Sequence, residues 1–205
     1  MNNADTVIIL DFETTGLSPD MGDRAIEIGA VKLENGIIVE RFQALMNPGR
    51  RVSSFIADYT GISNAMLADA ESTEQEMARF AEFIQGFNLV AHNASFDKRF
   101  LDAELSRIGC DYDGEFSCSL LLARRIYQAA PSHKLGELIH YLDIPSEGGF
   151  HRALFDAEMT AQLWLNMLDE ISTRHEIADV PFHLIQKVVK TAKKSVPKLL
   201  QQYQL

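Results

Sequence analysis

The sequence is short of cysteine, of positive charge and of long apolar runs. Its two cysteines, Cys110 and Cys118, are too few for a disulfide framework and match no CxxC or zinc spacing, so they read as half-buried packing residues. The longest apolar stretches are as brief as Val7-Ile8-Ile9-Leu10 and Leu120-Leu121-Leu122-Ala123, which excludes a membrane-spanning helix. The start, Met1-Asn2-Asn3-Ala4-Asp5, has no basic residue and leads into an apolar run too short for a secretory signal, so a cytoplasmic protein is expected. Nineteen Lys and Arg against 29 Asp and Glu leave a net charge of −10, which argues against coating nucleic acid through a broad basic surface.

The charge is unevenly placed. Residues 177–205 hold five lysines, Lys187, Lys190, Lys193, Lys194 and Lys198, against one acid, Asp179, giving +4, so the first 176 residues carry −14. We therefore divide the 205 residues into a main domain, 1–176, and a basic helical extension, 177–205.

Thr6 to Asp11 is β-branched and apolar and predicts a buried strand. Arg24 to Leu33 alternates and meets Asn35-Gly36, a hairpin turn that returns Ile37 to Met46 antiparallel. Short helices are expected at Ser53 to Tyr59 and Ser63 to Ala68. Thr73-Glu74-Gln75-Glu76 has capping-box spacing ahead of a stripe of Met77, Phe80, Ala81 and Ile84. A strand at Asn88 to Ala91 precedes a helix striped by Phe96, Phe100, Leu101, Leu105 and Ile108 and stopped at Gly109. Helices follow at Ser119 to Gln128, Lys134 to Leu142, Ala153 to Ile171 and, past Pro181, along the basic tail. The alternation is that of an α/β layer fold.

Asp11 and Glu13 close the first strand. Residues two apart share a face, so both carboxylates point to one site while Phe12 turns away. Asp97 lies in line with Phe100, Leu101 and Leu105, and Asp156 in line with Met159, Leu163 and Met167, which aims two carboxylates along buried stripes. A buried carboxylate is costly unless it is paired or holds a metal. A helix N-cap is the alternative for each, since both lie near predicted helix starts. Like charges about 4 Å apart repel by roughly 4 kcal/mol at an effective dielectric near 20, so a cluster of Asp11, Glu13, Asp97 and Asp156 calls for divalent cations. All-oxygen ligands suit magnesium or manganese. His151, on the glycine-flexed loop Gly148-Gly149-Phe150 that enters the last long helix, can reach the same cluster and accept a proton from a metal-bound water.

Asp11-Phe12-Glu13-Thr14-Thr15-Gly16-Leu17, His92-Asn93-Ala94-Ser95-Phe96-Asp97 and His151-Arg152-Ala153-Leu154-Phe155-Asp156 resemble the three exonuclease motifs of the DnaQ-like DEDDh family, which includes the epsilon subunit of bacterial DNA polymerase III. The resemblance spans about residues 5 to 172, with Thr60-Gly61-Ile62 and Ser132-His133-Lys134-Leu135. It implies a ribonuclease H-like α/β fold: a mixed five-stranded sheet with one antiparallel strand and helices on both faces. It also implies a metal-dependent 3′–5′ exonuclease holding two Mg2+ or Mn2+ ions, with Asp11 bridging them, Glu13 and Asp156 completing one shell, Asp97 holding the second ion, and His151 as general base. Thr14, Thr15, Leu17, Ile62, Asn93 and Phe96 would then cradle the terminal nucleotide.

The substrate expected on this basis is the 3′ end of single-stranded or frayed DNA, with RNA ends as the alternative. A docking subunit without catalysis is the reading from another class, weighed down by all five catalytic positions being filled. A DNA polymerase or clamp is a further expected partner, although Gln202-Tyr203-Gln204-Leu205 only loosely echoes a sliding-clamp peptide. A tail helix with Ile185, Val188, Val189 and Ala192 against the body would free Lys187, Lys190, Lys194 and Lys198 to hold backbone phosphates.

Overall fold

The computed structural model describes residues 3–146 and 151–204; the expected glycine-flexed loop at Gly148-Gly149-Phe150 lies outside them. Three strands open the fold: β1 (Val7–Thr14), β2 (Ala25–Glu34) and β3 (Ile37–Leu45). The Asn35-Gly36 turn joins the last two with both residues at positive φ, 52° and 76°, as a tight hairpin demands. Strands β4 (Leu89–Ala91) and β5 (Phe116–Cys118) complete a single sheet in the order β3-β2-β1-β4-β5. β2 runs antiparallel to both its neighbours, and β4 and β5 run parallel to β1. That is the mixed sheet with one antiparallel strand that the motifs imply. β5 carries no alternating pattern of its own and is too short to show in the sequence.

Helices α1 (Ser54–Thr60), α2 (Asn64–Ala68), α3 (Thr73–Phe83) and α4 (Ser95–Arg107) lie ahead of β5 in the chain, and α5 (Ser119–Ile126), α6 (Leu135–Tyr141), α7 (Ala153–His175), α8 (Phe182–Lys190) and α9 (Val196–Gln201) follow it. The capping box of α3 starts one residue earlier than expected, with Ser72 and Gln75 exchanging side-chain and backbone bonds. Strand alternation splits the core in two. Ile8, Leu10 and Phe12 face Phe80 and Phe100 of α3 and α4. Val7 and Ile9 face α5 to α9, with Trp164 buried at the centre and its indole N–H donated to the Ala4 carbonyl at 2.7 Å. Cys110 is exposed rather than half-buried, and Cys118 is partly covered at the end of β5. Among the described residues no helix is long and apolar enough to cross a membrane.

The extension is built into the second core. Ile177, Val180, Phe182, Leu184, Ile185, Val188, Val196 and Leu200 are buried there beside α5 and α7. The tail is broken rather than one helix: α8 ends at Lys190, and Ala192, expected to pack, is exposed.

One contact fixes α7 on the sheet. Gly29 of β2 lies against the first turn of α7 so closely that a Cβ there would sit 2.0 Å from the Leu154 nitrogen. Only glycine allows that approach. Gly29→Ala is predicted to push α7 outward and to lower stability by roughly 1–3 kcal/mol. Thermal unfolding would register the drop, and a substitution that left the melting temperature unchanged would contradict this packing.

Candidate active site

β1 and the starts of α4 and α7 converge on one cleft. Asp11, Glu13, Asp97, His151 and Asp156 all line it, together with Thr14, Thr15, Leu17, Asn93 and Phe96. Phe12, between the two acids, packs edge-on against Phe80 with ring centroids 6.4 Å apart, so strand alternation sends the carboxylates the other way. The cleft has a volume of about 770 Å³, within the range of small-molecule sites.

Glu13, His151 and Asp156 each present a ligand atom within 4.8 Å of the others. Neither helix aspartate is an N-cap: Ala94 caps α4 and Arg152 caps α7. Instead Asp97 Oδ1 accepts the Phe12 backbone N–H at 3.2 Å, tying α4 to the end of β1. Asp156 Oδ2 accepts the His151 backbone N–H at 2.9 Å, which holds His151 at φ 72°, a conformation uncommon for a side-chain-bearing residue. Asp156 Oδ1 is buried with no hydrogen-bond partner.

The electrostatics are those of crowded anions. Burial first, then the charges of Asp97, Asp156, Glu13 and Glu27, hold the Asp11 carboxyl well above the ordinary carboxylate range. Burial with Asp156, Glu27 and Asp97 pushes Glu13 up to about 8, against the pull of Arg152. Burial lifts Asp97 to about 7, opposed by the Phe12 N–H. Burial lifts Asp156 to about 6, opposed by the His151 N–H. An unpartnered buried oxygen among carboxylates that resist ionisation together is the donor set a hard divalent cation fits.

Glu27 was not singled out in the sequence, because it is one glutamate in an alternating strand. It faces Glu13 directly across β1 and β2, a like-charge pairing that costs stability unless it is neutralised. Arg152 neutralises it, donating from Nη2 at 2.8 Å and from Nε at 3.1 Å to Glu27, which is fully buried. Glu27 also accepts the Ala153 backbone N–H at 3.1 Å, capping α7 from the sheet. The pair therefore sets the position of both His151 and Asp156.

Residues of α1 join the cleft, and one expected residue leaves it. The likeness to family motifs puts Ile62 on the substrate wall, but the structure buries it fully among Ile26, Val52 and Leu67. Gly61 ends α1 at φ 72°, turning the chain inward so that α1 offers Phe55, Ile56 and Tyr59 to the cleft instead. The Tyr59 ring lies 4.1 Å from the His151 ring, and Phe55 stacks on Tyr59 at 6.1 Å. Leu17, Phe55 and Tyr59 are 79%, 71% and 52% exposed. Large exposed apolar side chains beside a cleft were the available sign, and only Leu17 was read from the sequence. His92 bridges Ser119 Oγ and the His133 carbonyl at 2.9 Å each. Burial pushes its pKa down to about 4, so it is a neutral strut at neutral pH.

The RNase T exonuclease family model matches residues 8–164. The DNA polymerase III PolC-type protein of Caldanaerobacter subterraneus is 38% identical over 164 residues, covering 80% of this chain and 12% of that protein. The DNA polymerase III subunit epsilon-like protein of Rhodobacter capsulatus is 38% identical over 172 residues, 82% of this chain and 24% of its own. The chain thus spans a small part of the length of these relatives. Among solved structures, Exonuclease X in complex with 5′ overhanging duplex DNA superposes with a TM-score of 0.65 at 30% identity, covering 80% of this chain and 91% of that one. The nuclease domain of 3′hExo, a DEDDh family member bound to rAMP, gives 0.69 at 21% identity over 81% of this chain and 92% of its own, a likeness of fold.

Two outcomes are expected. Arg152→Ala leaves Glu27 buried opposite Glu13 without its cation, though still bonded to Gln43 and the Ala153 N–H, and should cost roughly 1–3 kcal/mol, part of which Glu27→Gln in the same chain should restore; chemical denaturation of the four proteins of the cycle measures it. The second concerns pH. Carboxylates with raised folded pKa values stabilise the metal-free fold fully below their unfolded values and lose that contribution as pH climbs through about 6 for Asp156, about 7 for Asp97 and about 8 for Glu13. Added magnesium or manganese should therefore raise the melting temperature more at pH 8 than at pH 6, and an equal rise at both would contradict the shared cluster.

Proposed function

The chain belongs to the DEDDh exonuclease family that the RNase T model describes, and from that premise we propose that it removes nucleotides from the 3′ end of single-stranded or frayed DNA as nucleoside 5′-monophosphates. The observation that carries the reading is the cluster of Glu13, His151 and Asp156 within 4.8 Å, beside Asp11 and Asp97 in one cleft.

Members of the family use divalent metals, and we assign two Mg2+ or Mn2+ ions to Asp11, Glu13, Asp97 and Asp156, where they would activate the attacking water and stabilise the leaving 3′-oxygen. His151 would serve as the proton acceptor for the attacking water, through an imidazole nitrogen. The hydrogen bond of its backbone N–H to Asp156 fixes the main chain of His151, and the Tyr59 ring lies against its imidazole beside the cluster. Leu17 and Tyr59 offer apolar surfaces at the cleft mouth for the terminal base, with Thr14, Thr15, Asn93 and Phe96 lining the pocket behind. Stacking of this kind tolerates any base, as an exonuclease requires.

DNA is favoured because the relatives are named as DNA polymerase III proteins and Exonuclease X was solved with duplex DNA. The rAMP in the 3′hExo nuclease domain makes an RNA strand the necessary comparison. A polymerase partner is supported by the same names. A clamp partner has less support, since Tyr203 is folded back on α8, accepting from Lys187 Nζ at 2.6 Å; Leu205 lies outside the described residues.

The test is cleavage of 3′- and 5′-labelled DNA and RNA single strands with magnesium and with chelator. Mononucleotides should leave the 3′ end only with metal. His151→Ala should lower kcat by roughly 10²–10⁴-fold, and Asp11→Ala should abolish release. Cleavage of neither polymer by the metal-loaded wild-type protein would return the reading to a docking subunit.

A further inference from the structure

On its other side the cleft around Asp11, His151 and Asp156 opens past His92 and Asn93 into a space that, with those residues, measures about 890 Å³ and is walled by Leu120, Arg124, Ser132, His133, Lys134 and Glu137. The character of this side differs. Arg124 and Lys134 are exposed, and among the described residues neither has a carboxylate partner. Elsewhere the cations near carboxylates are spoken for: Arg24, Lys32, Arg41, Arg79, Lys98, Arg107, Arg152 and Arg174 are all in ion pairs. Arg124 and Lys134 thus face the cleft without an ion pair, opposite the acidic cluster and beside Glu137, in a chain of net charge −10.

Helix α5 connects this side to the basic extension. Leu120 and Arg124, one turn apart, face the cleft. On the neighbouring stripe, Arg125 donates from Nε to the Thr191 carbonyl at 3.2 Å, holding the break between α8 and α9 against α5. The break is where the lysines gather. Lys190, Lys193 and Lys194 are exposed around it, with no carboxylate partner among the described residues. Burial of Leu184, Ile185, Val188 and Val196 in the shared core fixes the segment in place.

We propose that Arg124, Lys134 and the lysines around Thr191 form one track for the phosphates of the strand upstream of the scissile bond. The occupant is the sugar–phosphate backbone of a single strand, several nucleotides from its 3′ end, and this rests on the exonuclease reading above. The track would let a protein with 14 excess negative charges in its first 176 residues hold a polyanion by one edge. It would also make grip depend on strand length.

The experiment is binding of fluorescent oligothymidylates, blocked by phosphorothioate linkages at the 3′ end, across a range of salt concentrations. Each phosphate contact contributes about 0.7 to the slope of log K against log salt for a single strand, so Lys190→Gln with Lys193→Gln and Lys194→Gln should flatten the slope by about two for strands of about fifteen nucleotides. Strands of about three nucleotides, too short to reach the lysines, should show little change. Arg124→Gln with Lys134→Gln should flatten the long-strand slope by about 1.4. Lysine-to-arginine changes at the same tail positions should preserve the slope. Unchanged slopes in the glutamine variants, or equal losses on short and long strands, would overturn the track. Mononucleotide release by the wild-type protein reports separately on the exonuclease reading, so failure of the track and failure of that reading are distinguishable.

Discussion

A pair of buried glutamates facing each other across two strands is the constraint on which the rest of the site depends. Glu13 and Glu27 face each other on β1 and β2, and Arg152 from the start of α7 answers the charge of Glu27. The same carboxylate caps α7 through the Ala153 N–H. At the two residues that follow His151, an ion pair and a hydrogen bond therefore join helix to sheet. Gly29 removes the side chain that would otherwise keep α7 off the sheet. The position of α7 and the positions of His151 and Asp156 at its start become a single quantity.

Much of the fold was legible because its signals are local. The Asn35-Gly36 turn, the strand ending in Asp11 and Glu13, and the stripes of α3, α4 and α7 are periodicities that a short window contains. β5 was not legible from pattern, since three residues between α4 and α5 show no period. The break at Thr191 was also missed: no proline or glycine marks it, and it is made by tertiary contact with Arg125.

The site divides the same way. Asp11 and Glu13 announce a shared face by alternation, and Asp97, Asp156 and His151 lie on motifs whose company gives them meaning. Glu27 and Tyr59 do not, because their importance comes from partners far away in the chain. Arg152 lies 125 positions from Glu27, and His151 lies 92 positions after Tyr59 in the sequence. Ile62 shows the converse error. A motif position placed it near substrate, while the left-handed turn at Gly61 sends it inward.

The shared core of the extension bears on how the protein can be cut. The family match stops at residue 164, partway along α7 and at the buried tryptophan that anchors Ala4. A fragment ending there would strip cover from Leu163, Trp164 and the strand residues beneath them. One ending at residue 176 would uncover the surface that Phe182, Leu184, Ile185 and Val188 now occupy. The boundary of the catalytic motif is thus not the boundary of the folding unit, and a shorter expression product would inherit a sticky face in place of a trimmed tail.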